Sequence, residues 1–303
     1  MITKIFLASI ITYASSLLGG NFVIDQQIVS DQGTDIQNEQ RIPSPFKKTE
    51  SLGVEISGKS GIVVDNKSSR ILFEKNSEKE LPMASLTKIM TAVVLLDSGI
   101  SMEDTYTVEE EAVNIYGSDI DLEIGEEILV NDLLHGLMIH SGNDAAMAIA
   151  RKVGKNEESF VQMMNKKAKE LGMANTQFQN PHGLDQKNHY TNVKDMVKLA
   201  SYAYQKPNFK KIIRLSDYQF DAVNIPKHHQ LKNTNKLLHE DYFLINGGKT
   251  GFTDNAGYCL LTFGINENKN EIITVVLGEK EDGRQFHDTK AMLEWTFGNY
   301  KWE

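Results

Sequence analysis

Cysteine is nearly absent from this chain of 303 residues, and its histidines follow no metal-binding spacing. With Cys259 as its single cysteine the chain can form no internal disulfide, and we interpret this residue as a small apolar core side chain. The eight histidines occur in no H-E-x-x-H pattern, and there is no C-x-x-C pair. The sequence therefore predicts no dedicated metal site and no cofactor.

Basic residues are scarce relative to acidic ones. The chain has 32 Lys and Arg against 41 Asp and Glu, and its formal net charge is -9. Binding to a phosphate backbone requires a surface rich in Lys and Arg, so this balance argues against nucleic acid as a partner. The rest of the composition, 40% hydrophobic and 24% charged, fits one globular domain with extra segments.

A long apolar run begins close to the N-terminus. Lys4 precedes an apolar stretch from Ile5 to Leu18 that can be extended to Ile24. This pattern is typical of a secretory signal, although no clean small-x-small cleavage site follows it. Because about 20 apolar residues span a bilayer, residues 1–24 are predicted to be a signal peptide or an uncleaved anchor. We expect an exported protein, secreted or associated with a membrane at its N-terminus.

The rest of the chain divides into a linker and one domain. Residues 25–50 are polar and aperiodic, which predicts a flexible linker. Residues 51–303 are predicted to form an ordered domain. Within it, strand patterns near the start and again after residue 216 enclose a mainly helical region at about 85–215.

The first of three short motifs is Ser85-Leu86-Thr87-Lys88, an S-x-x-K sequence followed by an apolar run. In a helix Ser85 and Lys88 share one face, so the amine can reach the hydroxyl and serve a nucleophile as its base. Pro82 is tolerated near a helix start, which places Ser85 where the helix dipole favours an oxyanion. Alone the motif is weak, since about one chance match is expected in a chain of this length.

Two further motifs follow along the chain. Ser141-Gly142-Asn143 lies in a break after an apolar helical segment, and Lys249-Thr250-Gly251 lies in the Gly-rich start of a predicted edge strand. Asn143 taken alone is equally typical of a helix cap. Each motif has a chance expectation of roughly 0.1 per chain, so their joint occurrence favours chemistry over coincidence.

The ordered set S-x-x-K, S-x-N and K-T-G resembles the active-site motifs of the penicillin-recognising serine acyltransferases, which include D,D-peptidases and class A β-lactamases. The resemblance covers residues 51–303. It implies an α/β (α+β) fold of the β-lactamase/transpeptidase type, in which helices flank an antiparallel sheet and an all-helical region is inserted. Because the chain ends after a predicted final helix, we expect the additional C-terminal β domain of many members to be absent.

The resemblance also implies a role for each motif residue. Ser85 becomes the nucleophile and Lys88 its base, provided that burial and a nearby Lys249 lower the pKa of the amine. Ser141 passes a proton to the leaving group and Asn143 binds the substrate amide. By the same resemblance, Lys249 and Thr250 bind a substrate carboxylate, and Gly251 leaves space for the substrate. The backbone N–H groups of Ser85 and Phe252 bind an oxyanion, and Arg284 is a weaker second contact to a carboxylate.

Two features choose between branches of the family. The turn Asn180-Pro181-His182-Gly183-Leu184 resembles one found in D-alanyl-D-alanine carboxypeptidases and not usually in β-lactamases, although its composition also fits an ordinary loop. A class A β-lactamase needs a glutamate on an E-x-x-L-N loop, and Leu171-Gly172-Met173 after Glu170 does not continue that pattern. We therefore identify the chain as a member of the low-molecular-mass penicillin-binding D-alanyl-D-alanine carboxypeptidases, the serine peptidases of S11 type.

The expected activity is removal of the terminal D-alanine from peptidoglycan stem peptides through a Ser85 acyl-enzyme, with β-lactams acylating the same serine. Alternatives are a D,D-endopeptidase acting on peptidoglycan cross-links and a secreted domain that binds peptidoglycan without cleaving it. An unrelated α/β protein with accidental motifs is a further alternative. His182 and His189 have no evident carboxylate partner in the sequence, so we assign them no catalytic role.

Overall fold

A five-stranded antiparallel sheet organises the domain, with its strands in the order β3-β2-β10-β9-β8. The structure is a computed structural model that describes residues 44–240 and 242–303. Strand β8 lies at the edge of the sheet and pairs with β9 on one side only. The five strands are β2 Ser60–Asp65, β3 Ile71–Lys75, β8 Ile245–Thr253, β9 Gly257–Ile265 and β10 Glu271–Glu279.

The helices lie on both faces of this sheet. They are α1 Lys88–Asp97, α2 Val130–His135, α3 Asn143–Gly154, α4 Glu157–Glu170, α5 Val193–Tyr204, α6 Pro207–Ile212 and α7 Arg284–Asn299.

Strand β10 shows why the sheet sequences read as continuous apolar runs. Successive side chains of a strand point to opposite faces. Ile273 and Val275 pack into the large core shared with the helical region, and Ile272 and Val276 pack into a second core beneath α7. Both faces are therefore buried, and the predicted class of an antiparallel sheet flanked by helices is confirmed.

Helix α1 lies at the centre of the large core. Leu86, Ile89, Met90 and Val93 are fully buried, and α1 contacts α3, α4 and α5. A helix that is apolar all round is normally buried. The α-helix itself begins at Lys88, and the 3-10 turn Ala84–Thr87 leads directly into it, so Ser85 lies close to the helix N-terminus as predicted.

The region predicted as all-helical also contains a small sheet. Strands β4 Thr105–Thr107 and β5 Glu127–Leu129 pair antiparallel within it. A second hairpin, β6 Asp217–Asp221 with β7 His228–Lys232, follows the helices. Three-residue strands are too short to show a reliable alternating pattern, so the sequence does not reveal β4 and β5.

The predicted linker ends earlier than residue 50. Strand β1 Phe46–Lys47 pairs antiparallel with β11 Tyr300–Lys301, which attaches these residues to the domain. The rest of the predicted linker up to residue 43, and the predicted signal or anchor at 1–24, lie outside the described residues. Within the described ranges, no helix is both long enough and apolar enough to cross a bilayer.

Candidate active site

The 3-10 turn and the first residue of α1 bring the first motif together. Lys88 Nζ lies 3.0 Å from Ser85 Oγ, 2.6 Å from Asn143 Oδ1 and 2.7 Å from the carbonyl oxygen of His182. Two of these three partners are carbonyl oxygens, which can only accept hydrogen bonds. A neutral amine has two hydrogens and one lone pair, so it satisfies both carbonyls and keeps its lone pair for the Ser85 hydroxyl.

The environment of Lys88 favours that neutral form. The side chain is fully buried. Burial is the main cause that holds the pKa of Lys88 well below its usual value, and the nearby charge of Lys249 lowers it further, whereas Asp144 opposes the shift. The predicted lowering of the Lys88 pKa by burial and Lys249 therefore agrees with the geometry.

The second motif joins the two lysines. Lys249 Nζ donates to Ser141 Oγ at 2.8 Å and to the carbonyl oxygen of Thr250 at 2.9 Å. Ser141 adopts a left-handed backbone conformation with φ 65°, immediately after the π-helical turn Gly136–His140. This conformation directs the hydroxyl of Ser141 toward the edge strand.

Asn143 links the second motif to a neighbouring wall of the site. Its Oδ1 accepts from Lys88, and its Nδ2 donates to the carbonyl oxygen of Tyr116 at 2.6 Å. One Nδ2 hydrogen is left for another acceptor. Gly142, not Asn143, is the N-cap residue of α3, so the simple reading of Asn143 as a helix cap is wrong.

Lys249 is the second buried amine of the site. Its side chain is 1% exposed, and burial lowers its pKa to about 7. An ordinary lysine has a pKa near 10.5. The site therefore holds two buried amines whose pKa values are lowered, that of Lys249 to about 7.

We expect Lys249→Met to unfold less easily than the wild type near pH 7. Between about pH 7 and about pH 10.5 the unfolded chain binds a proton that the folded chain lacks at this residue, so wild-type stability rises with pH across that window. Methionine does not titrate, so the stability advantage of the variant is largest at pH 7 and below and shrinks as pH rises.

Urea unfolding of both proteins at about pH 7 and about pH 9 measures this difference. The exposed Lys166 makes no hydrogen bond or ion pair within the described part of the chain, so Lys166→Met is the matched control. A stability difference that stays the same at both pH values would contradict the assignment.

The turn from Asn180 to Leu184 supports the nucleophile from behind. Asn180 Oδ1 accepts from the backbone N–H of Gly183 at 2.6 Å, which fixes the turn. Gly183 has φ 95°, and a Cβ added there would lie 2.1 Å from the carbonyl oxygen of Ala84. Glycine is therefore required here both by conformation and by the closeness of the Ser85 turn.

His182 and His189 contribute to this support. The carbonyl oxygen of His182 binds Lys88, and His189 Nε2 lies 2.7 Å from Thr87 Oγ1. His189 Nδ1 accepts from the backbone of Gln179, so Nε2 carries the hydrogen and donates it to Thr87. Burial lowers the pKa of His189 to about 4, and burial together with Lys88 lowers that of His182 to about 3, so both rings are neutral.

Ser85, Ser141 and Asn143 border a cleft of about 590 Å³. Gly251 closes it on one side, since a Cβ added there would lie 3.0 Å from Ser85 N. The lining residues are Ser85, Tyr116, Gly117, Ser118, Ser141, Asn143, Gly183, Leu184, Asp185, Thr234, Lys236, Thr250, Gly251, Phe252, Thr253, Asp254, Tyr258, Asp282, Gln285 and Phe286.

Two residues considered from the sequence pair with neighbouring residues on the surface. Arg284 is not among the lining residues, and its exposed guanidinium pairs with Glu281 at 3.3 Å. Glu170, the acid considered as a β-lactamase base, ends α4 and pairs with Lys167. Phe252 lines the cleft with its ring half-exposed and stacked on Tyr258, 4.4 Å between centroids.

The chain matches known proteins in both sequence and fold. Residues 46–281 match the peptidase S11 family, described as D-alanyl-D-alanine carboxypeptidase, over more than half of the chain. The chain belongs to this family. The prediction made from the three motifs is confirmed, and the chain is a serine hydrolase by membership.

Several relatives carry carboxypeptidase names. D-alanyl-D-alanine carboxypeptidase DacF of Bacillus subtilis is 38% identical over 269 residues, which is 86% of this chain and 68% of the relative. DacC of Escherichia coli is 33% identical over 267 residues, 84% of this chain and 65% of the relative. The chain thus spans about two thirds of the length of these two proteins.

Other similar proteins have different names. A D-alanyl-D-alanine endopeptidase of Haemophilus influenzae is 33% identical over 237 residues, 78% of this chain and 80% of the relative. The crystal structure of the Streptomyces K15 DD-transpeptidase superposes with a TM-score of 0.77 at 28% identity. It covers 82% of this chain and 100% of that one.

Sequence reasoning missed several supporting groups. The carbonyl oxygen of His182 binds Lys88, and that of Tyr116 binds Asn143. Thr234 Oγ1 is hydrogen-bonded to Thr250 Oγ1 in the wall of the cleft. Backbone carbonyls have no sequence signature, so only the N-P-H-G-L turn could have indicated the first of them. Thr234 lies in no recognisable motif.

Proposed function

We propose that the protein removes the terminal D-alanine from peptidoglycan stem peptides through an acyl-enzyme on Ser85. The observation that carries this proposal is the position of Lys88, whose Nζ lies within hydrogen-bond reach of Ser85 Oγ and of two carbonyl oxygens, so that the lone pair of the neutral amine would face the Ser85 hydroxyl. Activating a serine needs a base within hydrogen-bond reach whose pKa lies near the working pH. Lys88 lies within that reach, and burial lowers its pKa from the usual value toward that range.

Acylation then proceeds with residues already in place. Lys88 takes the proton of Ser85 Oγ, and the oxygen attacks the carbonyl carbon of the penultimate D-alanine. The backbone N–H groups of Ser85 and Phe252 stabilise the oxyanion. When the C–N bond breaks, the leaving D-alanine amine receives a proton through Ser141, whose hydroxyl is held by Lys249. Water later hydrolyses the ester and restores Ser85.

Substrate recognition uses the edge strand. Thr250 lines the cleft and is suited to bind the terminal carboxylate, with the buried Lys249 next to it. Gly251 lets the edge strand lie close to the Ser85 turn, since a Cβ there would lie 3.0 Å from Ser85 N, so the peptide can run along this strand beside Ser85. The free hydrogen of Asn143 Nδ2 binds the substrate amide. Arg284 is the weaker part of the proposal, because its guanidinium can reach a carboxylate only after leaving Glu281.

The same serine is the proposed target of β-lactams. Their acyl-enzyme should hydrolyse slowly, since Glu170 does not line the cleft and cannot activate a water there. The substrate lies in the cell wall, so we propose that the protein is exported and acts outside the cytoplasm, secreted or held at the membrane by residues 1–24.

An endopeptidase on peptidoglycan cross-links is the second candidate, favoured by the relative of that name. Incubating the purified full-length chain with a disaccharide pentapeptide and with a cross-linked dimer, followed by mass spectrometry, separates the two. We expect the pentapeptide to lose one alanine while the dimer stays intact, and Ser85→Ala to leave both unchanged.

Two other outcomes would overturn this proposal. Cleavage of the dimer with the pentapeptide untouched would establish the endopeptidase. Retention of either peptide without turnover would establish a binding protein that does not cleave peptidoglycan.

A further inference from the structure

A buried His–Glu pair lies outside the reaction described above. His229 on β7 and Glu126, just before β5, are 4% and 1% exposed. His229 Nε2 lies 2.6 Å from Glu126 Oε1, and Nδ1 lies 2.8 Å from the carbonyl oxygen of Ile120. Neither side chain lines the cleft.

The hydrogen bonds of His229 fix where its hydrogens are. A carbonyl oxygen only accepts, so Nδ1 carries a hydrogen and donates it to Ile120. A second hydrogen lies between Nε2 and Glu126 Oε1, on the ring if Glu126 is ionised or on the carboxyl if it is not. The other oxygen, Oε2, accepts from the backbone N–H of Glu123. All these polar atoms are therefore satisfied in a buried position, where an unpaired one is costly.

The surroundings hold the ring in one orientation. Phe220 stacks on His229 with 4.5 Å between centroids and 7° between planes. Lys227 Nζ lies 3.7 Å from Glu126 Oε2 and binds Glu123 at 2.8 Å. The pair thus connects the β6–β7 hairpin firmly to the segment that precedes β5.

Both backbone polar groups of Ile120 are hydrogen-bonded to buried side chains. Its N–H donates to the carboxylate of Asp144, 2.9 Å to Oδ2, while its carbonyl accepts from His229. Asp144 directly follows Asn143, and a Cβ added to Gly142 would lie 3.0 Å from Ile120 Cγ2. Ile120 therefore lies directly against the second motif.

The same segment contacts Asn143 at two further points. The carbonyl oxygen of Ser118 accepts from the backbone N–H of Asn143 at 2.7 Å. The carbonyl oxygen of Tyr116 accepts from its side chain. A shift of residues 116–120 would therefore move Asn143, which binds Lys88.

We propose that the His229–Glu126 pair positions residues 116–120 against the second motif and thereby sets the rate of Ser85 acylation. His229 is a positioning residue, since it acts through Ile120 and touches neither Ser85 nor the cleft. The inference concerns acylation, which penicillin reports directly, and it rests on the proposed function only for stem-peptide turnover.

The test compares four variants of the full-length chain. His229→Phe keeps the ring stack and removes both hydrogen bonds, and His229→Gln is a second variant with a polar side chain. Glu126→Gln is the conservative change, because its amide can donate to Nε2 while its oxygen accepts from Glu123. His228→Phe is the matched control, since His228 is the adjacent histidine and also pairs with a carboxylate, Asp221, but is exposed.

The readouts separate rate from folding. Titration with fluorescent penicillin gives the fraction of competent protein, and the second-order rate constant of acylation is measured on that fraction. We expect both His229 variants to acylate about tenfold or more slowly, because small displacements in an active site cost 10- to 100-fold. Glu126→Gln and His228→Phe should stay within about twofold of the wild type.

Other results would overturn the proposal. A lower competent fraction that acylates at the wild-type rate would show that the pair only stabilises the fold. If acylation slows as much in His228→Phe as in His229→Phe, any change in the hairpin slows acylation, and the effect is not specific to the His229–Glu126 pair. If the wild type is acylated but does not hydrolyse the pentapeptide, the proposed function fails while this comparison stands.

Discussion

Ser85→Ala is expected to abolish covalent labelling by benzylpenicillin and to reduce stem-peptide turnover by roughly 10⁴-fold or more. The variant has no hydroxyl to receive the acyl group, whereas the buried amines and the cleft remain. Because Ser85 is only partly buried and its Oγ has Lys88 as its hydrogen-bond partner, the substitution should preserve the fold. Intact mass after incubation with the antibiotic measures the adduct.

A serine at the other end of α1 supplies the control for this experiment. Ser98→Ala removes a serine at the end of α1 that caps the helix and lies away from the cleft. It should acquire one adduct, as the wild type does. An adduct on correctly folded Ser85→Ala would show that another residue is the nucleophile.

Lys88→Arg is expected to slow acylation by roughly 10³-fold, because guanidinium stays protonated and cannot accept a proton. General-base catalysis is worth about 10²- to 10⁴-fold, which sets the size of the loss. In the wild type the acylation rate should fall as pH decreases through the lowered pKa of Lys88, since the protonated amine has no lone pair. The variant should lack this dependence.

Rates of penicillin acylation across pH measure both effects. Lys166→Arg, at an exposed position of α4, is the control and should keep the wild-type profile. If Lys88→Arg acylates at the wild-type rate, the base is a different group, and Lys249 becomes the candidate to examine.

The motif residues were predictable because their chemistry requires particular side chains at particular spacings. Ser85, Lys88, Ser141 and Lys249 were all found in this way, and the structure brings them together. The strand patterns after residue 216 likewise predicted the part of the sheet to which β10 belongs. A functional side chain can be recognised in a sequence when its own chemistry carries the function.

The missed features depend on the backbone or on distant pairing. The carbonyl oxygen of His182 acts regardless of its side chain, and the His229–Glu126 contact joins residues 103 positions apart. The Arg284 contact stays a prediction, and its exposed side chain pairs with Glu281 in this structure. Such relations arise only when the chain folds.

The backbone at Ser141 and Gly142 runs against local preference. The serine occupies the left-handed position at φ 65°, while the glycine that follows has an ordinary φ of -57°. Glycine would adopt the left-handed position without the roughly 1 kcal/mol cost that other residues incur. A Cβ at 142 would lie 2.7 Å from Asp144 Oδ1, so the two residues cannot exchange places. The order Ser-Gly thus accepts a strained backbone at residue 141, and in return a hydroxyl lies beside Lys249.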